Sequence, residues 1–148
     1  MKKTISLLIV VFVLCASFTS CVFDDTSVKA ELVGTWMYKA DPFYAGDYYI
    51  IHESCYVFYS NGKYYTIGAQ QYYYRDSGKV LGEPHISEYN GTYKIKKDCI
   101  EIVYSDGDKN ELSYLWNDVS GKITKLGGGF VKVSNSTNYL DNLIKWTA

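Results

Sequence analysis

Side chains able to bind a metal, move a proton or attack a substrate are few and scattered in this chain. His52 and His85 are its two histidines and stand far apart in sequence. Zinc sites draw their ligands from closer Cys and His clusters, so both read as surface or half-buried residues. Asp106 and Asp108 flank Gly107 as at the opening of a calcium loop, but the later ligands of such a loop do not follow; turn chemistry accounts for them. Gly127-Gly128-Gly129 does not lie between a strand and a helix, so it reads as a flexible or bulged strand connection and not as a phosphate cradle. Glu53, Glu88 and Glu101 carry the chemistry for an acid–base pair inside a barrel, yet nothing in their spacing selects them. No nucleophile elbow is present. These residues predict no enzyme, no metal site and no cofactor.

The residue with the clearest chemistry is Cys21. Lys2 and Lys3 precede an apolar stretch from Ile5 to Ala16, and Ser17, Thr19 and Ser20 lead up to Cys21. This is the layout of a secretory signal, with a core too short for a comfortable bilayer span. Phe18-Thr19-Ser20-Cys21 resembles the bacterial lipoprotein motif, departing from it at Phe18, where Leu is usual. Cys15 follows bulky Val13 and Leu14 and fits less well. The resemblance implies cleavage of residues 1–20 and acylation of Cys21, with more than one chain to exceed the marginal hold of a single one at ~0.8 kcal/mol per buried CH₂. An uncleaved apolar anchor, or secretion with Cys21 as a spare thiol, are the other readings. Val22 is not the Asp that retains enterobacterial lipoproteins in the inner membrane. Asp24-Asp25 resembles the signal that sends Bacteroides-type lipoproteins to the outer face of the outer membrane, or is simply a solvated tether. The expected location is the outer membrane, lipid-anchored.

Removing Lys2 and Lys3 leaves 13 basic against 16 acidic residues, a formal −3. No basic run appears, so nucleic acid is a poor partner. The remaining length suits one domain with a real core. The expected organisation is a signal over 1–20, an acylated N-terminus and tether over 21–30, and a folded domain over 31–148.

The chain holds 16 Tyr and many Val and Ile, which favours strands. Turn signals recur at Asn61-Gly62, Asp76-Ser77-Gly78, Asn90-Gly91, Asp106-Gly107 and Ser120-Gly121, predicting strands near 33–39, 48–60, 63–74, 86–97, 99–104, 109–117, 121–126 and 130–134. A two-residue turn at Asn61-Gly62 sets Tyr59 against Tyr64 and Phe58 against Tyr65. A turn at Lys97-Asp98 pairs Ile95 with Ile100, Tyr93 with Ile102, and Lys94 with Glu101, the last as an ion pair. An odd loop of Asp106, Gly107 and Asp108 sets Ile102 against Leu112 and Ile100 against Tyr114. Tyr93, Ile95, Ile100, Ile102, Tyr104, Leu112, Tyr114 and Trp116 then share one face, a sheet core. From Ser136 to Trp146, apolar residues at helical spacing predict a short C-terminal helix, with an irregular final strand as the alternative.

Leu32-Val33-Gly34-Thr35-Trp36 opens the first strand. A Gly-x-Trp here, followed by about eight short strands, resembles the lipocalin-like superfamily, and most of all the small lipocalin-like lipoproteins of Bacteroidetes. The resemblance spans roughly residues 32–134 and implies an all-β, small antiparallel up-and-down barrel. Trp36 would plug its closed end beside Gly34, and Lys132 would pack across the ring where lipocalins usually have Arg. It further implies a membrane-anchored, non-catalytic binding lipoprotein for a small molecule or glycan. An unrelated sandwich with a core Trp also fits, and an interaction or assembly module holding an envelope protein is the second functional reading. Eight strands leave room for side chains or for one small ligand. The bulk of Tyr and Trp predicts a largely filled interior, where a ligand would meet Tyr93, Tyr104 and Tyr114. The loops over 40–47, with Phe43 and Tyr44, and over 75–88 are the expected contact sites. Cys55 and Cys99 are a candidate disulfide in an oxidising compartment, but the registers set Cys99 outward on a strand remote from that of Cys55.

Cys21→Ser is expected to release the protein from membranes into the soluble fraction on cell fractionation. Continued membrane retention of the variant would defeat the lipid-anchor reading.

Overall fold

The computed structural model describes residues 25–137. The signal segment, Cys21 and nearly all of the helix expected over 136–146 lie outside them. The described chain is a helix followed by nine strands: α1 (Asp25–Leu32), β1 (Gly34–Lys39), β2 (Phe43–Ala45), β3 (Tyr48–Phe58), β4 (Lys63–Tyr74), β5 (Val80–Ile95), β6 (Cys99–Tyr104), β7 (Lys109–Asn117), β8 (Lys122–Leu126) and β9 (Val131–Ser134). They hydrogen-bond in the order β8-β7-β6-β5-β4-β3-β1-β9, with short β2 on β3. All pairings are antiparallel. A single bridge between Leu126 and Phe130 brings β8 to β9 across the triple glycine and nearly closes the sheet into an eight-stranded barrel. The fold is a small all-β barrel, the class that the lipocalin-like resemblance implies. Its short helix, however, lies at the N-terminal end of the described residues, and the stretch expected as tether through residue 30 is helical from Asp25 onward.

Two hairpins share a device that corrects the expected registers. Tyr59 N–H donates to Lys63 O and Gly62 N–H to Tyr59 O; Tyr104 N–H donates to Asp108 O and Gly107 N–H to Tyr104 O. Each loop is therefore three residues, Ser60-Asn61-Gly62 and Ser105-Asp106-Gly107, with glycine alone at positive φ (80° and 95°). A two-residue type I′ turn would need positive φ at Asn61 as well, and among the described residues no non-glycine residue adopts it. Phe58 consequently faces Tyr64 instead of Tyr65, which turns Tyr64 inward and Tyr65 outward. At the second loop Ile100 faces Leu112, and Ile102 faces Asn110. That shift is of two residues, so the apolar face survives. The Lys97-Asp98 turn has the expected register, Ile95 to Ile100 and Tyr93 to Ile102. Lys94 does stand opposite Glu101, but the carboxylate bonds Lys96 instead, at 2.9 Å.

The core collects Val28, Leu32, Trp36, Phe58, Tyr64, Tyr93, Ile100, Ile102, Tyr114, Ile123 and Leu126, with Ile95, Tyr104, Leu112 and Trp116 packed against it. One end is closed by α1, whose Val28 and Leu32 lie one turn apart and are both buried. Trp36, 1% exposed, donates its indole N–H to Leu32 O at 2.8 Å. Lys132, opposite Trp36 on β9, holds Nζ 5.8 Å from the ring centroid and also bonds Glu31 O. Gly34 takes φ 127°, and a Cβ there would stand 2.4 Å from Ser134 O, so no other residue lets β1 start so close to the end of β9. Trp36→Ala removes a buried aromatic that touches helix, first strand and last strand together. A loss of ~3–5 kcal/mol in urea unfolding is expected; an unchanged midpoint would show that Trp36 does not close the barrel.

Candidate functional site

The residues singled out from sequence separate into two groups. Tyr93 and Tyr114 are each 5% exposed. Tyr93 Oη donates to Tyr59 O at 2.8 Å, and Tyr114 Oη to Lys96 O at 2.8 Å. Their hydroxyls pin loops at the closed end and are not offered to a ligand. Tyr104 is half-buried beside Tyr64 and Tyr89 and receives a bond from Asn110 Nδ2. Phe43 and Tyr44 are exposed, on β2, a strand the sequence did not announce. Gly34, Trp36 and Lys132 build the closed end. Cys55 and Cys99 are free thiols on β3 and β6.

The three candidate carboxylates do not converge. Glu53, 4% exposed, pairs with Lys39 at 2.7 Å. Glu101 lies against Lys96, which holds its carboxyl below the usual range. Glu88 hydrogen-bonds Tyr65, on the outer face of the sheet. Among the described residues no three His, Cys, Asp or Glu side chains gather as a metal site would need.

What the strands do assemble is one continuous face. Side chains alternate across a strand, and cross-strand partners share a side. Trp36, Phe58, Tyr64 and Tyr93 define the inner side, and the registers extend it row by row. Above the Tyr64–Gly91 row come Tyr56, Thr66 and Tyr89; then Ser54, Gly68 and Ser87; then His52, Gln70 and His85; then Phe43, Ile50, Tyr72 and Leu81. β5 pairs with β6 only from Gly91 to Ile95, so its earlier residues carry this inner face beyond the end of β6. A two-residue excess on β5 at Gly82, Glu83 and Pro84 preserves the alternation, because Leu81 and His85 both remain inward.

At the centre is Gly68. A Cβ built there would stand 3.2 Å from Ser87 Oγ, 3.6 Å from Ser54 Oγ and 3.7 Å from His52 Nε2. Ser54 Oγ and His52 Nε2 share a hydrogen bond of 3.0 Å. With no side chain at Gly68, three polar atoms close in over its backbone. Below it lies an aromatic floor: Tyr56 and Tyr64 at 6.1 Å, Tyr64 and Tyr104 at 6.3 Å, and Tyr56 and Phe130 at 5.0 Å. The buried Tyr64 hydroxyl in this floor has no hydrogen-bond partner among the described residues. Above it, Tyr48 and Tyr72 meet at 5.9 Å. The opposite face of the same strands carries its own ladder, with Tyr44 5.7 Å from Tyr49, Tyr49 stacked on Tyr73 at 5.1 Å, and Arg75 over Tyr44.

Sequence reasoning treated His52 and His85 as unrelated, yet they flank Gln70 on one row. The signal that would have found them is period-two spacing: His52-x-Ser54-x-Tyr56, Thr66-x-Gly68-x-Gln70 and His85-x-Ser87-x-Tyr89 each place small polar side chains on the face that is apolar further down the strand. Other hollows are on the surface: about 480 Å³ beside Tyr59, Asn61, Tyr65 and Asn90, and about 660 Å³ at the tip beside Asp47, Tyr74, Arg75 and Asp76. Compared with protein-family models, with curated proteins and with solved structures, the chain shows no match.

Burial pushes the Cys55 thiol up to about 12, and burial likewise raises Tyr93 to about 12. Tyr65 reaches about 12 through burial and then its bond to Glu88. Each group holds its proton more tightly folded than unfolded. Its contribution to stability is therefore complete below the ordinary value, 9 for the thiol and 10 for the phenols, and is lost as pH climbs through about 12. Thermal melts should be flat from pH 7 to 8.5 and fall steeply between pH 10 and 12; a midpoint constant to pH 12 would contradict the burial of these groups.

Proposed function

We propose that this protein is a non-catalytic binding lipoprotein, anchored in the outer membrane through acylated Cys21, that holds a small molecule or glycan on the open end of its barrel. The observation that carries the reading is the division of the inner face. Toward α1 it is filled by Trp36, Phe58, Tyr93, Ile100, Ile102 and Leu126, all at most 5% exposed. Beyond the end of β6 the same face becomes polar and half-exposed, with His52, Ser54, Gly68, Gln70 and Ser87. A lipid carrier needs a deep apolar cavity, and the residues at the closed end fill that space. A shallow face with convergent hydroxyl, amide and imidazole groups suits a polar ligand.

Ser54 and His52 alone support binding and not hydrolysis. They are neighbours on one flat strand, whose N–H groups are engaged in the ladder and form no oxyanion hole. Glu53, which would have to orient the imidazole, points to the other face and pairs with Lys39. The barrel and the Trp36–Lys132 contact also agree with the lipocalin-like resemblance. Docking of an envelope protein is the second reading. It rests on the outward ladder of Tyr44, Tyr49 and Tyr73 with exposed Tyr44 and Val80 beside it.

Native mass spectrometry of the full-length protein taken from its own host distinguishes the two. A retained small ligand, lost on Gln70→Ala, is the expected result. A spectrum showing only a stoichiometric protein partner would overturn it in favour of docking.

A further inference from the structure

We infer that the ligand of this face is an uncharged saccharide, seated with its hydroxyls over Gly68 and a ring against Tyr72. The inference rests on the binding reading above and adds the chemical class. It starts from what the inner face lacks. Across β2, β3, β4 and β5 the inward positions are Phe43 and Ala45; Tyr48, Ile50, His52, Ser54, Tyr56 and Phe58; Tyr64, Thr66, Gly68, Gln70, Tyr72 and Tyr74; and Leu81, His85, Ser87, Tyr89, Gly91, Tyr93 and Ile95. No Lys, Arg, Asp or Glu is among these paired positions; Glu83, exposed in the β5 bulge between Leu81 and His85, is the acid on this side of the alternation. The other charged residues of these strands, Glu53, Lys63, Glu88 and Lys94, take the outward positions.

That distribution selects by charge. A carboxylate, phosphate or sulfate leaves water only for a cationic partner, and the guanidinium fork is the group that matches it. The face has none to offer. It has instead groups that both donate and accept: serine hydroxyls, the Gln70 amide and imidazole nitrogens. Vicinal hydroxyls, each a donor and an acceptor at once, are complementary to such a set. Ser54 Oγ, Ser87 Oγ and His52 Nε2 gather within 3.7 Å of the point where a Cβ of Gly68 would be, so a hydroxyl lying over the Gly68 backbone is flanked by three groups able to donate or accept.

Aromatic residues border the polar rows on both sides, with Tyr56 and Tyr89 below and Tyr72, Tyr48 and Phe43 above. The C–H face of a pyranose is weakly positive and packs on the negative face of an aromatic ring. Like-facing positions repeat every ~7 Å along a strand, so Tyr72, two such steps beyond Gly68 on β4, stands ~14 Å from it. That is a span for two or three linked sugar rings and not for one.

The test uses the full-length protein in detergent micelles, titrated by calorimetry with gluco-, manno-, galacto- and xylo-oligosaccharides and, in parallel, with uronic-acid oligosaccharides of equal length. Saturable binding of at least one neutral series, with the uronic-acid series at least tenfold weaker, is expected. Gly68→Val should weaken it at least tenfold without lowering the melting temperature appreciably, because Gly68 has ordinary extended backbone and the crowded atoms are serine side-chain ends. Tyr44→Ala, on the opposite face, should leave it unchanged. Preference for the acidic series, or neutral binding untouched by Gly68→Val, overturns the saccharide assignment. So does the absence of binding to every neutral series. In that event a non-carbohydrate small molecule retained in native mass spectra and displaced by Gly68→Val would still uphold the binding reading, so the two failures are separable.

Discussion

The architecture depends on one junction, in which Trp36 joins three segments that are remote in sequence. Its ring is sandwiched in the core, its N–H holds the last carbonyl of α1 at Leu32, and Lys132 from β9 covers the ring while bonding Glu31. Each contact alone is modest. A neutral hydrogen bond contributes about 1 kcal/mol net, and a cation–π contact at a partly exposed site about as much. Their effect is geometric: the helix cannot leave without stranding a buried indole N–H, and β9 cannot leave without uncovering the ring. Because β9 and β8 touch at only one bridge, closure of the sheet is weakest there, and the Trp36–Lys132 contact reinforces the antiparallel ladder that joins β9 to β1.

A closed end of this kind permits an open one. The hydroxyls of Tyr93 and Tyr114 are spent on loop carbonyls at the closed end, and large apolar groups fill the space between them. Further along, the same strands are free to carry polar side chains inward, because β6 has ended and water reaches the surface. The unequal strand lengths, six residues in β6 against twelve in β4 and sixteen in β5, thus divide one face into a core and a site.

The sequence read alone reaches the first of these and misses the second. Most strand limits and the face shared by Tyr93, Ile100 and Ile102 follow from alternation, which is a local property, whereas the choice of a barrel over a sandwich came from the resemblance. The Asn61-Gly62 register failed by one residue because the choice between a two- and a three-residue loop depends on whether Asn61 takes positive φ, and the dipeptide favours either. The start of β5 at Val80 was missed because Gly82 and Pro84 read as breakers, and a bulge absorbs them only when a neighbouring strand is present. The helix was missed because Asp25–Leu32 has only Val28 and Leu32 to bury, too few to be distinguished from a polar tether. The site was illegible for a further reason. Gly68, Ser54 and Ser87 are ordinary residues on three strands, and only the registers of β3 on β4 and β4 on β5 bring them together.

The helix also bears on where the site would look. α1 is packed against the core at the closed end, with Asp25 and Lys29 beside Tyr93 and Ile95, so the barrel is not free to turn about it. Under the proposed acylation, Cys21 precedes Asp25 by four residues, a reach of at most ~14 Å for fully extended chain. The lipid would then hold the closed end near the bilayer. The polar atoms at Gly68 and the aromatic rows beyond them lie toward the other end of the same strands. A barrel tethered this closely would present its polar face away from the membrane, where an uncharged glycan would be met in water and where the exposed rings of Phe43, Tyr48 and Tyr74 would not be competed for by lipid. Under that proposal the short tether and the placement of the polar rows would be two parts of one arrangement, joined through Trp36, which fixes the helix to the barrel.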